Sequence, residues 1–181
     1  MAKPYEVIND ELKQFIQQQK IFFVGTAGAE GKVNVSPKGM DTLRVINDKH
    51  VIWLNHTGSG NESAAHVLEN SRMTIMFCAF EGKPLILRLY GKATAIHERD
   101  ELWDSLITQF DNTTGARQIF NLEIEMVQTS CGYAVPNFDY VEEREILLNW
   151  AEVKGRDGVV QYWRDNNMNS LDGKPTKLFE D

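Results

Sequence analysis

Six strand-like runs crowd into the roughly 80 residues between Ile21 and Ile96, joined mostly by tight turns, and that density favours a closed barrel over a layered α/β sheet. Ile21–Ala27 and Val33–Ser36 flank the turn residues Gly28-Ala29-Glu30-Gly31 and read as a hairpin. Leu43–Ile46 and Val51–Leu54, around Asn47-Asp48-Lys49, read as a second. Met73–Phe80 is nearly continuous apolar sequence, the signature of a strand buried on both sides. Leu85–Ile96 is a long strand with Gly91 where a barrel strand bends. Ser36-Pro37-Lys38-Gly39 is expected to interrupt the second strand, because proline cannot donate to a central ladder; such interruptions favour edges and ligand sites. The alternation Ile119–Val127 supplies a further strand, expected to close the barrel.

Helices flank these runs. Ile8, Leu12, Phe15 and Ile16 recur at helical spacing around Asn9, a good N-cap, and predict a helix over about residues 9–20. Leu102, Trp103, Leu106, Ile107 and Phe110 line one face of a helix beginning near Glu98. In the tail, Ile146, Leu147, Trp150 and Val153 share a face, and Val159, Val160, Tyr162 and Trp163 belong to a second short helix. Ser170–Pro175 reads as an extended end.

Composition excludes several functions. The formal charge of −7 argues against general nucleic-acid or anionic-membrane binding, both of which need a basic face. With 42% apolar residues but no uninterrupted apolar run of membrane length, no transmembrane helix is expected. The amino-terminal residues lack a secretory signal, so a cytoplasmic location is the expectation. Cys78 and Cys131 show no paired metal-site spacing, and no structural metal is expected.

The stretch from Leu54 to Asn70 carries the chemistry. An apolar run ends at Leu54-Asn55, His56-Thr57-Gly58-Ser59-Gly60 is a small-residue turn, and Asn61–Leu68 reads as a short helix. Strand, small loop and helix start together outline an anion site, because glycines admit close backbone approach and a helix's first N–H groups point outward. The same residues also satisfy ordinary turn and cap chemistry. They match neither a Walker loop nor the three-glycine dinucleotide fingerprint. A helix dipole alone contributes roughly 0.3–1 kcal/mol, so other groups must bind most of any ligand.

The order of elements over residues 8–130 resembles the FMN-binding split barrel. The segments Val33-Asn34-Val35-Ser36-Pro37-Lys38-Gly39, Thr57-Gly58-Ser59-Gly60-Asn61-Glu62, Met76-Phe77-Cys78-Ala79-Phe80-Glu81-Gly82 and Thr129-Ser130-Cys131-Gly132-Tyr133 resemble a subgroup of flavoproteins related to pyridoxamine 5′-phosphate oxidase. The resemblance implies a mainly β, Greek-key-like split barrel with flanking helices, homodimeric, with FMN in the clefts between subunits. Residues 1–135 would form the FMN-binding domain and 136–181 a helical extension packed on it. Asn34, Ser36, Pro37 and Lys38 would contact the flavin from the second strand. Asn55 would end the strand leading to the site. Thr57, Gly58, Ser59, Gly60, Asn61 and Ser63 would surround the phosphate.

One departure bears on charge. The oxidase proper has an arginine on the second strand and an Arg-Lys pair at the helix start, where this chain has Ser36 and Ser63-Ala64. Lys38 and Arg88 are the nearest sequence candidates to balance a phosphate; equally, Lys38 could sit beside the flavin's pyrimidine ring or stand in solvent, and Arg88 could pair with a carboxylate. The implied function is an oxidoreductase acting on a small molecule, with the cofactor supplying the chemistry. The alternative is a non-catalytic flavin- or haem-binding module for storage, sensing or electron transfer. His56 and His66 are open to structural, acid–base or haem-ligand roles, and Cys131 to a buried-thiol or nucleophile role.

Overall fold

The computed structural model describes residues 3–179. Asn9 caps as its position predicts: its Oδ1 accepts the Leu12 N–H at 2.9 Å, and helix α1 (Asp10–Gln18) follows, sending Leu12 and Ile16 into the core. A strand that the sequence reading did not anticipate, β1 (Lys3–Tyr5), precedes it.

The predicted strands form one antiparallel sheet. They are β2 (Phe22–Thr26), β3 (Asn34–Lys38), β4 (Leu43–Asn47), β5 (His50–His56), β6 (Arg72–Cys78), β7 (Ile86–Ile96) and β8 (Ala116–Ser130). Helix α2 (Glu62–Glu69) follows β5, and the short α3 (Trp103–Ile107) follows β7. The order is β3-β2-β6-β7-β8-β5-β4, with β1 added on β8. The result is a split barrel, mainly antiparallel β with flanking helices. The sheet path ends at β3 and β4, and no ladder joins those two strands among the described residues. Residues Ile119–Val127 therefore do not close a barrel as expected. They belong to β8, the spine that joins β7 on one side to β5 on the other.

Proline at 37 does not interrupt β3, contrary to expectation. It pairs with Phe23 within the strand, and it is tolerated because β3 is a sheet edge whose outer side has no ladder to supply. Alternation along β3 is clean: Asn34, Ser36 and Lys38 turn inward, while Val35 and Pro37 face out. The interior is closed by Trp53 stacked on Phe120, with ring centroids 4.6 Å apart, and by Phe22, Phe77, Leu87 and Leu89 around them.

Helix α4 (Ile146–Asn166) is two helices merged across Gly155, whose φ of 65° breaks the helical run. The predicted apolar face of its first half is not the buried one. Ile146 and Val153 are exposed, and Ala151 faces inward instead, against Gly115. The helix expected from Glu98 is shorter because residues 97–102 are used in turns, with the Asp100 carboxylate accepting the His97 N–H at 2.7 Å. Nor does Ser170–Pro175 run extended. It is a turn closed by Ser170 N–H to the Lys174 carbonyl, and ion pairs Lys32–Asp172 and Lys174–Glu69 fasten it to the barrel. No helix among the described residues is long and apolar enough to cross a membrane.

Gly91 carries the bend in β7. Register shifts there, Tyr90 pairing with Met126 and Gly91 with Ile124, so Glu125 is the extra residue of a bulge. A Cβ on residue 91 would lie 1.9 Å from the Glu123 carbonyl oxygen. Gly91→Ala is expected to destabilise the protein by about 2–3 kcal/mol in urea unfolding, since neither backbone can yield without loss of the ladder. An alanine variant as stable as the parent would contradict this packing.

Candidate anion and cofactor site

Two cavities meet beside the start of α2. The smaller, about 590 Å³, lies between the inward face of β3, the end of β5, the 58–63 loop, Arg117 and the turn after α4. The larger, about 1440 Å³, is walled by aromatic side chains, Phe80, Phe138, Tyr140, Trp150 and Tyr162 among them. Lys38, Gly58 and Ser59 line both and form their junction.

The structure gathers the predicted site residues here with one exception. Asn34, Ser36, Lys38, Asn55, Gly58, Ser59, Gly60, Asn61 and Ser63 line the smaller cavity, and Pro37 and Thr57 line the larger. Arg88 lines neither; it lies on β7 and its Nη1 donates to Ser130 Oγ at 3.2 Å. Four of the gathered side chains are already engaged, Asn34 and Ser63 with each other and Thr57 and Asn61 with the surrounding frame. Thr57 Oγ1 donates to the Gly115 carbonyl and accepts Trp163 Nε1–H, both at 2.8 Å. Asn61 accepts a hydrogen bond from Gln118 Nε2 at 2.9 Å, and its side chain accepts no capping N–H from α2. These two residues hold the loop's shape.

Sequence reasoning missed Arg117. Asn55 pairs with Gln118 and His56 with Ala116, so Arg117 is the extra residue of a bulge in β8, a device that re-aims a side chain. Its Nη1 donates to the Gly60 carbonyl at 3.0 Å and to Asn167 Oδ1 at 2.6 Å, and the residue is only 4% exposed. The available signal was an arginine just before the apolar alternation of β8, three residues upstream of Phe120.

Electrostatics make the smaller cavity a site for an anion. Burial pulls Lys38 down to about 8, helped by the positive charge of Arg117, and burial brings Arg117 to about 9, so both are charged at neutral pH. Among the described residues neither is paired with a carboxylate. Glu62, the acid at the cavity wall, accepts the Leu171 N–H at 3.0 Å. Lys38 Nζ lies 5.1 Å from the centre of the Trp53 ring, a contact that offsets part of its desolvation. Three buried polar atoms of lining residues have no partner: Ser36 Oγ, Trp53 Nε1 and Arg117 Nε. Buried cations and orphaned donors are costly unless something negative and hydrogen-bonding is supplied. The N–H groups of Ser59, Gly60 and Asn61 have no partner among the described residues either, and they precede the first turn of α2.

A buried hydroxyl chain continues inward. Asn34 Nδ2 donates to Ser63 Oγ at 3.3 Å, Ser63 lies 3.2 Å from Thr26 Oγ1, and Thr26 lies 3.1 Å from His66 Nδ1. None of the four histidines lines either cavity. Cys131 is exposed beside neither.

Fold and site together define a split-barrel protein with a cationic pocket beside an aromatic cleft. The family model for pyridoxamine 5′-phosphate oxidase matches residues 8–131. A pyridoxamine 5′-phosphate oxidase family protein of Aspergillus flavus, ustO, is 33% identical over 189 residues, covering 94% of this chain and 76% of that one. The chain belongs to the pyridoxamine 5′-phosphate oxidase family. Among solved structures, HupZ of Group A Streptococcus is similar with a TM-score of 0.57 at 20% identity, over 73% of this chain and 99% of that one. The FAD binding protein of Mycobacterium smegmatis is similar with a TM-score of 0.50 at 11% identity, over 70% and 97%. At these identities the likeness is one of fold.

The unpaired lysine sets a pH dependence. Its folded value near 8 lies below the ordinary 10.5, so between those values the unfolded chain holds a proton that the folded chain lacks. Stability of the ligand-free protein therefore rises with pH across that window, and the full cost is present below pH 8. Lys38→Met should stabilise ligand-free protein at pH 7 by on the order of 1–2 kcal/mol, allowing for solvent at a half-buried site, with the gain fading toward pH 10.5. Thermal unfolding of both proteins across this range checks it; a difference independent of pH would be contrary.

Proposed function

We propose that the protein binds FMN non-covalently and serves as a flavin-dependent oxidoreductase acting on a small molecule, as a homodimer with FMN at the subunit interface. One observation carries the reading. Lys38 and Arg117 place two positive charges, without a carboxylate partner among the described residues, on a cavity that also presents the unpartnered Ser36 Oγ and Trp53 Nε1 and whose own acid, Glu62, is engaged by the Leu171 N–H. A phosphate monoester has the charge and the acceptor oxygens that such a cavity lacks. The adjoining aromatic cleft suits a planar ring attached to that phosphate, and a substrate beside it.

In this reading the 58–63 loop, Ser36, Ser63 and Arg117 would hold the phosphate. Lys38, where the two cavities join, would supply positive charge to the cofactor. Pro37 and Thr57, which line the larger cavity, would belong to the ring's side of the site. Bound FMN would supply a two-electron redox centre, and the chain's own contribution is orientation, charge and exclusion of water. The placement of all four histidines outside the cavities favours flavin over a histidine-ligated haem. For the dimer, the support is the edge strand itself: Val33 and Val35 are 72% and 65% exposed on the outward side of the strand that carries Ser36 and Lys38.

Protein purified from its host should show the two-band yellow spectrum of a flavin and release FMN on heating, identified by mass. Lys38→Gln and Arg117→Gln should each weaken FMN binding by about tenfold or more, the scale of a hydrogen bond to a charged group. A colourless protein that also fails to bind added FMN would refute the cofactor assignment, and sedimentation of the FMN-loaded protein as a single 20.7 kDa chain would refute the dimer.

A further inference from the structure

The carbonyl groups of the anion loop are held from behind by two side chains that lie outside it. Asn167 Nδ2 donates to the Gly58 carbonyl at 3.1 Å and to the Ser59 carbonyl at 3.4 Å. Arg117 Nη1 donates to the Gly60 carbonyl at 3.0 Å, and the same nitrogen donates to Asn167 Oδ1 at 2.6 Å. The Asn167 amide thus ties two consecutive peptide units to the guanidinium, which holds the third itself. In a trans peptide the C=O and the following N–H point in opposite directions. Fixing the carbonyls of residues 58–60 on the Asn167 side therefore turns the N–H groups of Ser59, Gly60 and Asn61 the other way. Those N–H groups are the ones left without partners.

Asn167 is itself immobilised. It is fully buried, at the end of α4, where its N–H donates to the Trp163 carbonyl at 2.8 Å. Its own carbonyl accepts Thr176 Oγ1–H at 2.7 Å. Trp163 Nε1, one turn earlier, donates to Thr57 at the start of the same loop. These residues lie beyond the 8–131 segment that the family model matches.

We propose that Asn167 is a positioning residue for phosphate recognition: its amide locks the 58–60 peptides and the Arg117 guanidinium in one arrangement, so the C-terminal segment sets how well the pocket selects a phosphate. The proposal rests on the FMN reading. It differs from a purely structural role because what the lock orients, the N–H groups of Ser59, Gly60 and Asn61 and the Arg117 guanidinium, is what the reading assigns to the phosphate, whereas in the larger cavity it touches only Gly58 and Ser59, through their carbonyls. Neutrality at 167 also matters. An aspartate there would keep the pairing with Arg117, but it would turn an acceptor toward two carbonyls and spend the guanidinium's charge on itself.

The test compares FMN with riboflavin, which has the same ring and no phosphate. Flavin-free wild type, Asn167→Ala and Asn167→Asp are titrated calorimetrically with each. Wild type is expected to prefer FMN. Both variants should lose FMN affinity by about tenfold or more while riboflavin affinity falls clearly less, with Asn167→Asp the weaker FMN binder. Retained riboflavin binding shows that a variant is folded, and the isosteric aspartate serves if the alanine variant does not fold. If affinities for the two flavins fall in parallel, or neither falls, Asn167 is only structural and the proposal is overturned. If wild type binds neither flavin, the cofactor reading fails and takes this inference with it. If wild type prefers FMN and the variants keep that preference, this inference alone fails.

Discussion

Two buried positive charges without a negative partner are the constraint on which the rest of this structure depends. Lys38 comes from an edge strand and Arg117 from a bulge in the central strand, so neither end of the sheet makes the pocket alone. A fold selected for stability alone would bring a carboxylate to each or replace both with apolar residues. Here Glu62, the acid among the described residues that line the smaller cavity, is occupied elsewhere, holding the Leu171 N–H. The charge is kept in want of a counter-ion, as expected of a site that is completed by its ligand.

The split barrel is suited to hold that charge. β8 carries Phe120 into the core stack with Trp53 and, three residues earlier, swings Arg117 out through its bulge to the loop. Trp53 in turn lies beneath Lys38, so the aromatic core and the cationic pocket share a wall. Behind the loop, α4 and the turn after it act as a brace: Trp163, Asn167 and Leu171 engage Thr57, the 58–59 carbonyls and Glu62 in succession. The loop has little apolar burial of its own, and its conformation is held by polar contacts from sequence-distant residues.

Much of this was legible in the sequence, and what was not has identifiable causes. Alternation and turn residues located every strand from Phe22 to Ile96, and the Gly58–Gly60 turn before a short helix marked the site. Glycine and hydroxyl patterns report local backbone demands, which a single sequence carries openly. Arg117 was hidden because a bulge breaks the alternation that would have assigned its face, and nothing local signals which loop a bulged residue will meet. Arg88 drew attention as a charge within an apolar strand, yet its register on β7 sends it to Ser130. The break at Gly155 agrees with the two tail helices expected, and Val159 and Trp163 are buried; the face of the first half was misjudged because Ala151, an unremarkable residue in sequence, is the one that fits against Gly115. Asn167's place at the loop depends on long-range contacts, which periodicity does not encode, and the Ser170–Pro175 turn, closed by its own backbone, is fastened to the barrel by equally distant residues.

Phosphorus NMR of FMN bound to the protein tests the central claim most directly. Free phosphate monoesters take up a proton with a pKa of about 6. If Lys38 and Arg117 enclose the phosphate, its resonance should stay that of the dianion, without titrating, from about pH 5 to pH 8, because two neighbouring positive charges hold the proton off. A resonance that titrates near 6, as in free solution, would place the phosphate in solvent and contradict the account.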